Sequence, residues 1–189
     1  MVINEKTLVS QMKEAYKKGG YVVANRKGES YIIQTSFWAV EIDSENLPRE
    51  ALSLMALHMG FLPGEDRAYR ITKTKEGPSV QDLMISVALG NIGEIENEIN
   101  AAASVPVMAR KTIVTYDGCS VWQKEGNCGV ILIDPRYESI LRKKQEARIV
   151  SDALYAEGEI SKVYIMRVNK NPDEPEIVHL SNTKWTVVK

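Results

Sequence analysis

Two stretches of this chain, about ninety residues apart, run through the same order of turn, strand, strand and helix. That internal echo constrains the fold more than any single motif. Residues 28–34 form a glycine turn leading into a strand, followed by a second strand at 38–42 and a helix signalled by Pro48. Residues 118–124 begin the same way, and 128–133 and then Pro135 keep the order. Gly28 and Gly118, Ser30 and Ser120, and Val40 and Val130 are the identical pairs. A unit used twice predicts two related halves sharing one core.

At 189 residues the chain can bury a good-sized core without a disulfide or metal. With 44% hydrophobic and 26% charged residues it has the composition of an ordinary globular protein. No apolar run approaches the roughly 20 residues that cross a bilayer. Met1 to Lys6 opens an amphipathic helix and lacks the apolar core of a signal peptide, so a cytoplasmic protein with no membrane partner is expected. Cys119 and Cys128 fit that compartment; their spacing matches neither CxxC nor a zinc knuckle, and they read as structural. The net charge of −1 argues against a surface coated in basic residues. It leaves room for a local basic stripe, offset by acidic clusters at Glu94, Glu96 and Glu98 and at Asp173, Glu174 and Glu176.

Asn4 as N-cap, Ile3 and Leu8 at staple spacing and the stop Gly19-Gly20 predict a helix over 4–18. Leu8, Met12 and Ala15 share its packed face, and Lys6, Ser10, Lys13 and Lys17 line the other. Residues 21–24, 30–34 and 37–42 read as strands, the last with Trp38, Val40 and Ile42 alternating toward a core. A helix over 47–59 and a strand over 69–74 follow. From Ser79, with Asp82 at capping-box spacing, Val80, Leu83, Met84 and Val87 fit a helix, although 83–89 also suits a buried strand. Beyond Gly90 and Gly93 the apolar positions move to Ile92, Ile95 and Ile99, which predicts a second, separate helix. The shift makes 76–105 a connecting helical segment between a first half, 1–75, and a second half, 106–189, in one compact unit.

In the second half Asp117-Gly118 signals a hairpin of 111–116 with 120–124. A strand over 128–133 leads to a helix capped by Asp134-Pro135, with Tyr137, Ile140 and Leu141 on one face. A strand over 163–168 and a C-terminal hairpin pairing 177–180 with 183–188 complete the reading. The expected class is α+β, mainly antiparallel sheet with four or five helices. Core candidates are Tyr31, Ile33, Trp38, Val40, Ile42, Leu54, Met55, Val121, Val130, Leu132, Ile140 and Leu141.

Catalytic chemistry needs converging groups, and few are visible. His58 lies on the apolar side of a helix and His179 in a strand-like run, with no partner histidine at metal-binding spacing. No GxSxG, P-loop or GxGxxG is present, and the sequence implies no metal and no cofactor. The carboxylates fall where solvated surface is expected. The most basic region is 136–148, with Arg136, Arg142, Lys143, Lys144 and Arg148. Lysines near a helix C-terminus offset its dipole, and the same residues can neutralise nucleic-acid phosphates without reading bases. Lys6, Lys13, Lys17, Arg136, Arg142, Lys143 and Lys144 are therefore the candidate nucleic-acid contacts.

Two strings carry a family resemblance. Residues 31–40, YIIQTSFWAV, resemble the strand pair of sliding DNA clamps around its threonine-aspartate-glycine turn, although here Thr35 is followed by Ser36-Phe37. Residues 133–141, IDPRYESIL, resemble the stretch leading into the last helix of bacterial clamps, with Tyr137 matching the tyrosine and Ile140-Leu141 the apolar pair. The resemblance spans about a third of the chain. It implies a ring-forming, non-enzymatic protein that tracks duplex DNA through basic helices and recruits partners by an apolar pocket, with proteins of DNA replication or repair and further copies of the chain as the expected partners. Two other readings stay open: a small enzyme or regulatory module built on scattered carboxylates, with Cys119 or Cys128 involved, and a protein-interaction module without DNA contact.

Overall fold

The computed structural model describes residues 1–101, 107–126, 129–143 and 145–188. Asn4 caps the first helix, α1 (Glu5–Lys17), by accepting the Thr7 N–H, and Ile3 and Leu8 are both fully buried beside it. A meander follows, β1 (Tyr21–Lys27), β2 (Ser30–Gln34) and β3 (Trp38–Asp43), then a 3-10 turn and α2 (Arg49–Met59). Pro48 stands at the N-cap of α2, and Gly60 ends it in the left-handed conformation. The chain returns as β4 (Arg67–Thr74), which pairs with β1.

Residues 77–83 form a strand, β5 (Gly77–Leu83), where the apolar spacing predicted a helix. β5 is hairpinned to β4 across Lys75-Glu76. Val80 and Leu83, three apart, point to opposite faces of a strand. Both are partly buried, one with the α1–α2 core and the other with a separate cluster. A single helix, α3 (Ile85–Ala101), then runs through Gly90 and Gly93 instead of breaking there. Ala88, Ile92, Ile95 and Ile99 keep one continuous 4-3-4 stripe against the sheet. That burial offsets the roughly 1 kcal/mol that each glycine costs relative to alanine.

The second meander is β6 (Met108–Tyr116), β7 (Cys119–Lys124) and β8 (Val130–Ile133). Asp117 and Gly118 both have positive φ, 48° and 76°, as a two-residue type I′ turn requires. α4 (Pro135–Glu138) has a single turn, followed by β9 (Ala147–Val150), β10 (Ala153–Gly158), β11 (Ser161–Met166) and α5 (Pro175–Asn182). The predicted C-terminal hairpin is absent. Residues 175–182 are helical, with Pro175 at the first position and Ile177 and Leu180 both in the cluster formed with Val121 and Leu132. In the segment after it, Val187 bridges Thr112.

The fold is α+β, one eleven-stranded antiparallel sheet in the order β5-β4-β1-β2-β3-β11-β10-β9-β6-β7-β8. Twice along the chain a three-stranded meander leads through a helix to a strand that pairs with the meander's first strand, β4 on β1 and β9 on β6. β3 and β11 pair at five register positions at the middle of the sheet. Alternation sorts the strand residues by face. Tyr31, Ile33, Trp38, Val40 and Ile42 pack with α1 and α2, while Ile32 and Ala39 pack with α3. Of the expected core, Leu54 and Val130 are only partly buried, and the other ten are buried.

Candidate nucleic-acid interface

The basic segment after β8 is not the long helix its sequence predicts. α4 stops at Glu138, the N–H groups of Ile140 and Leu141 close turns onto Tyr137 O and Glu138 O, and the chain then meets the N-terminus. Asn4 N–H donates to Ile140 O (2.7 Å), Leu141 bridges Ile3, and Arg142 N–H donates to Val2 O (2.9 Å). Val2 N–H in turn donates to Ser161 Oγ, and a Cβ on Gly158 would lie 2.8 Å from Val2 Cγ1, so a larger residue there would have to displace the Val2 side chain. Arg142 and Lys143 therefore sit in a loop, where they offset no helix dipole.

This pairing lays residues 135–143 alongside α1. Arg136, Gln11, Glu14 and Lys18 line one cleft at the C-terminal part of α1, while the Arg142 guanidinium donates to Ile3 O (3.1 Å) at the other end. Arg136 thus lies beside the C-terminal part of α1 and Arg142 beside its start. Lys6, Lys17 and Lys143 are exposed and have no acidic partner among the described residues. Lys13 is paired with Glu50 of α2, and Arg136 is held by both oxygens of Asp134. Hydrogen bonding with Arg136 keeps the Asp134 carboxyl below its usual range and raises the guanidinium. Lys18, which the sequence reading passed over, is bonded to Glu14 and lowers that carboxyl. Lys144 and Cys128 lie outside the described residues.

Other candidates have structural partners. Glu96 turns from α3 to the sheet, accepting from Tyr164 Oη (3.1 Å) and pairing with Lys162 (3.5 Å) and Lys27 (3.7 Å); Lys162 also meets Glu41 at 3.1 Å. Burial, then the nearby carboxylates, pushes the Tyr164 hydroxyl far up. Glu94 and Glu98 are exposed. Cys119 is buried, and burial raises its thiol. Trp38 and Trp122 are buried, and Trp185 donates its indole N–H to Leu180 O. Among the described residues no group of three or more His, Cys, Asp or Glu could hold a metal ion. None of the described helices is long and apolar enough to cross a membrane.

His58 stacks on Tyr16 of α1 (centroids 3.8 Å apart) beside Met12, Leu54 and Ile71, with Lys13 the nearby cation. Burial lowers its pKa from 6.5. The folded state then binds fewer protons than the unfolded one, so stability is full above pH 6.5 and falls as pH drops below it. The expected result is a thermal midpoint that declines between about pH 7 and 5 more in the wild type than in His58→Phe. Parallel declines would remove His58 as the cause.

No family model matches the sequence, and no curated protein matches it. Among solved structures the chain is similar to the beta subunit from DNA polymerase of Streptococcus pyogenes. That match has 8% identity and a TM-score of 0.33, covering 92% of this chain and 66% of the other. It is also similar to the DNA polymerase III beta chain of Streptococcus pneumoniae TIGR4, with 13% identity, a TM-score of 0.35, and 96% and 67% covered. The chain thus spans about two thirds of the length of each.

Proposed function

We propose that this protein is a non-catalytic, clamp-like binding protein that contacts duplex DNA through the face carrying α1 and the 136–143 segment. The observation that carries this reading is the packing of that segment along α1. It sets Arg142 beside the start of α1, and on this reading Lys6, Lys17, Arg142 and Lys143 form one phosphate-contacting surface, although they are up to 137 positions apart in sequence. The matched strand order of the two halves supports the further reading that they are related units of one compact body. Proteins of DNA replication or repair and further copies of the chain are the partners such a protein would have. Of the carboxylates beside the sheet, Glu41 is engaged by Lys162, and Glu96 by Lys162, Lys27 and Tyr164.

Four phosphate contacts imply a dependence of log affinity on log salt with a slope of about −3.6, or about a hundredfold loss between 50 and 200 mM salt. Fluorescence anisotropy with labelled duplexes of two unrelated sequences should show that loss and little sequence preference. Lys17→Glu combined with Lys143→Glu should weaken binding and reduce the slope by about 2 without unfolding the protein. Absent binding at 50 mM salt, or equal binding by the charge-reversed protein, would overturn the proposal.

A further inference from the structure

The turn between β2 and β3 holds an aromatic ring in the open. Thr35 Oγ1 accepts the N–H groups of Phe37 (3.1 Å) and Trp38 (3.4 Å), which sets the turn and sends the two side chains in different directions. Trp38 goes into the core, and Phe37 stays 54% exposed. The Phe37 ring lies nearly parallel to Tyr137 of α4, with centroids 5.2 Å apart and planes 8° from parallel. The Arg136 guanidinium is 5.4 Å from the Tyr137 centroid. Beside this stack is a cleft of about 210 Å³ between α1, the turn and α4. That is below the roughly 300–1,000 Å³ of clefts for drug-sized ligands, and suits a single flat ring system.

Two cations, Lys18 and Arg136, stand on the walls of the cleft. Its charges are balanced, however. Glu14 neutralises Lys18 and Asp134 neutralises Arg136, so the cleft adds little attraction for phosphate. What it adds is a rigid stacking surface. Rings backed by a cation are how sequence-tolerant proteins hold unpaired bases, at about 1–3 kcal/mol per base. We infer that this cleft holds one unpaired base at a single-stranded end next to a bound duplex, stacked on Phe37. The inference rests on the nucleic-acid reading of the adjoining face.

The test compares a blunt duplex with the same duplex carrying a five-nucleotide single-stranded tail, with 2-aminopurine as its first unpaired base. The tail should tighten binding about fivefold to a hundredfold, the range that 1–3 kcal/mol of stacking implies. It should also quench the 2-aminopurine. The tightening factor should persist from 50 to 200 mM salt, because stacking releases few counterions. Phe37→Ala should abolish the tail preference and the quenching while leaving blunt-duplex affinity and the thermal midpoint unchanged, and Phe37→Trp should restore both. Equal binding of tailed and blunt duplex, or a preference that survives Phe37→Ala, would overturn the stacking site and leave duplex binding standing; a cleft built for a protein side chain gives this result. Phe37-dependent binding of the tail with no affinity for blunt duplex would uphold the stacking site and overturn the duplex reading. Binding to neither would overturn both.

Discussion

Replacing Trp38 with alanine is expected to lower folding stability by about 3–5 kcal/mol. For a chain of this size that is a fall of about 6–20 °C in the thermal midpoint. Trp38 is 1% exposed and lies on β3 opposite Ile165 of β11, at the middle of the sheet. β3 is hydrogen-bonded to β2 on one side and β11 on the other, so the walls of the new cavity cannot move in to fill it. Circular dichroism during heating would measure the loss. Trp38→Phe, which keeps most of the volume, should lose less, and the neighbouring Phe37→Ala very little. A loss below about 1 kcal/mol for Trp38→Ala would mean that the helical layer closes over the site.

The second large effect is expected at Ile3. It is fully buried, so Ile3→Ala should cost about 2–5 kcal/mol. It should also loosen one place in particular, because Ile3 bridges Leu141 in the pairing that lays the basic loop against α1. Hydrogen exchange gives the readout. The Asn4 and Arg142 amides, bonded to Ile140 O and Val2 O, should exchange faster by more than the amides of β1 and β2. Uniform acceleration across the sheet would show that the pairing opens only with the whole molecule.

Elements whose signals are local were readable from the sequence. The Asn4 cap and the Ile3–Leu8 pair marked α1, and Asp117-Gly118 marked a two-residue turn. Errors arose where distant contacts decide. Val80 and Leu83 have helical spacing, yet each finds a different layer to pack against once β5 pairs with β4. Residues 139–143 continue a helical pattern, but Ile140 O accepts from Asn4 N–H and Arg142 N–H donates to Val2 O. The α5 error is different in kind. Pro175 at the helix start and the i, i+3 pair of Ile177 and Leu180 were both present, and the apolar run hid them.

The same division holds for the site. The lysine stripe of α1 is a matter of helical period and could be read directly. The placing of Arg142 beside the start of α1 depends on the Ile3–Leu141 bridge, which no spacing rule reports. The acids that neutralise Lys13, Lys18 and Arg136 were equally hidden, apart from the i, i+4 partner Glu14. Phe37 had a signal that was overlooked: a large aromatic set between a serine and the start of a strand.

The seam between β3 and β11 governs how this chain reaches its folded state. Its pair Ile42–Ser161 joins residues 119 positions apart, while the hairpins on either side close across two-residue turns. Hairpins form in about 1–10 μs, whereas so distant a pairing must first overcome loop closure worth about 4 kcal/mol plus a constant. During synthesis at about 5–20 residues per second, β3 therefore waits several seconds for its partner to emerge. Over that interval its main-chain edge, flanked by Trp38, Val40 and Ile42, stands open to any neighbouring strand. Yield on refolding is accordingly expected to fall as concentration rises, because another molecule's edge competes with β11 for the same row of hydrogen bonds.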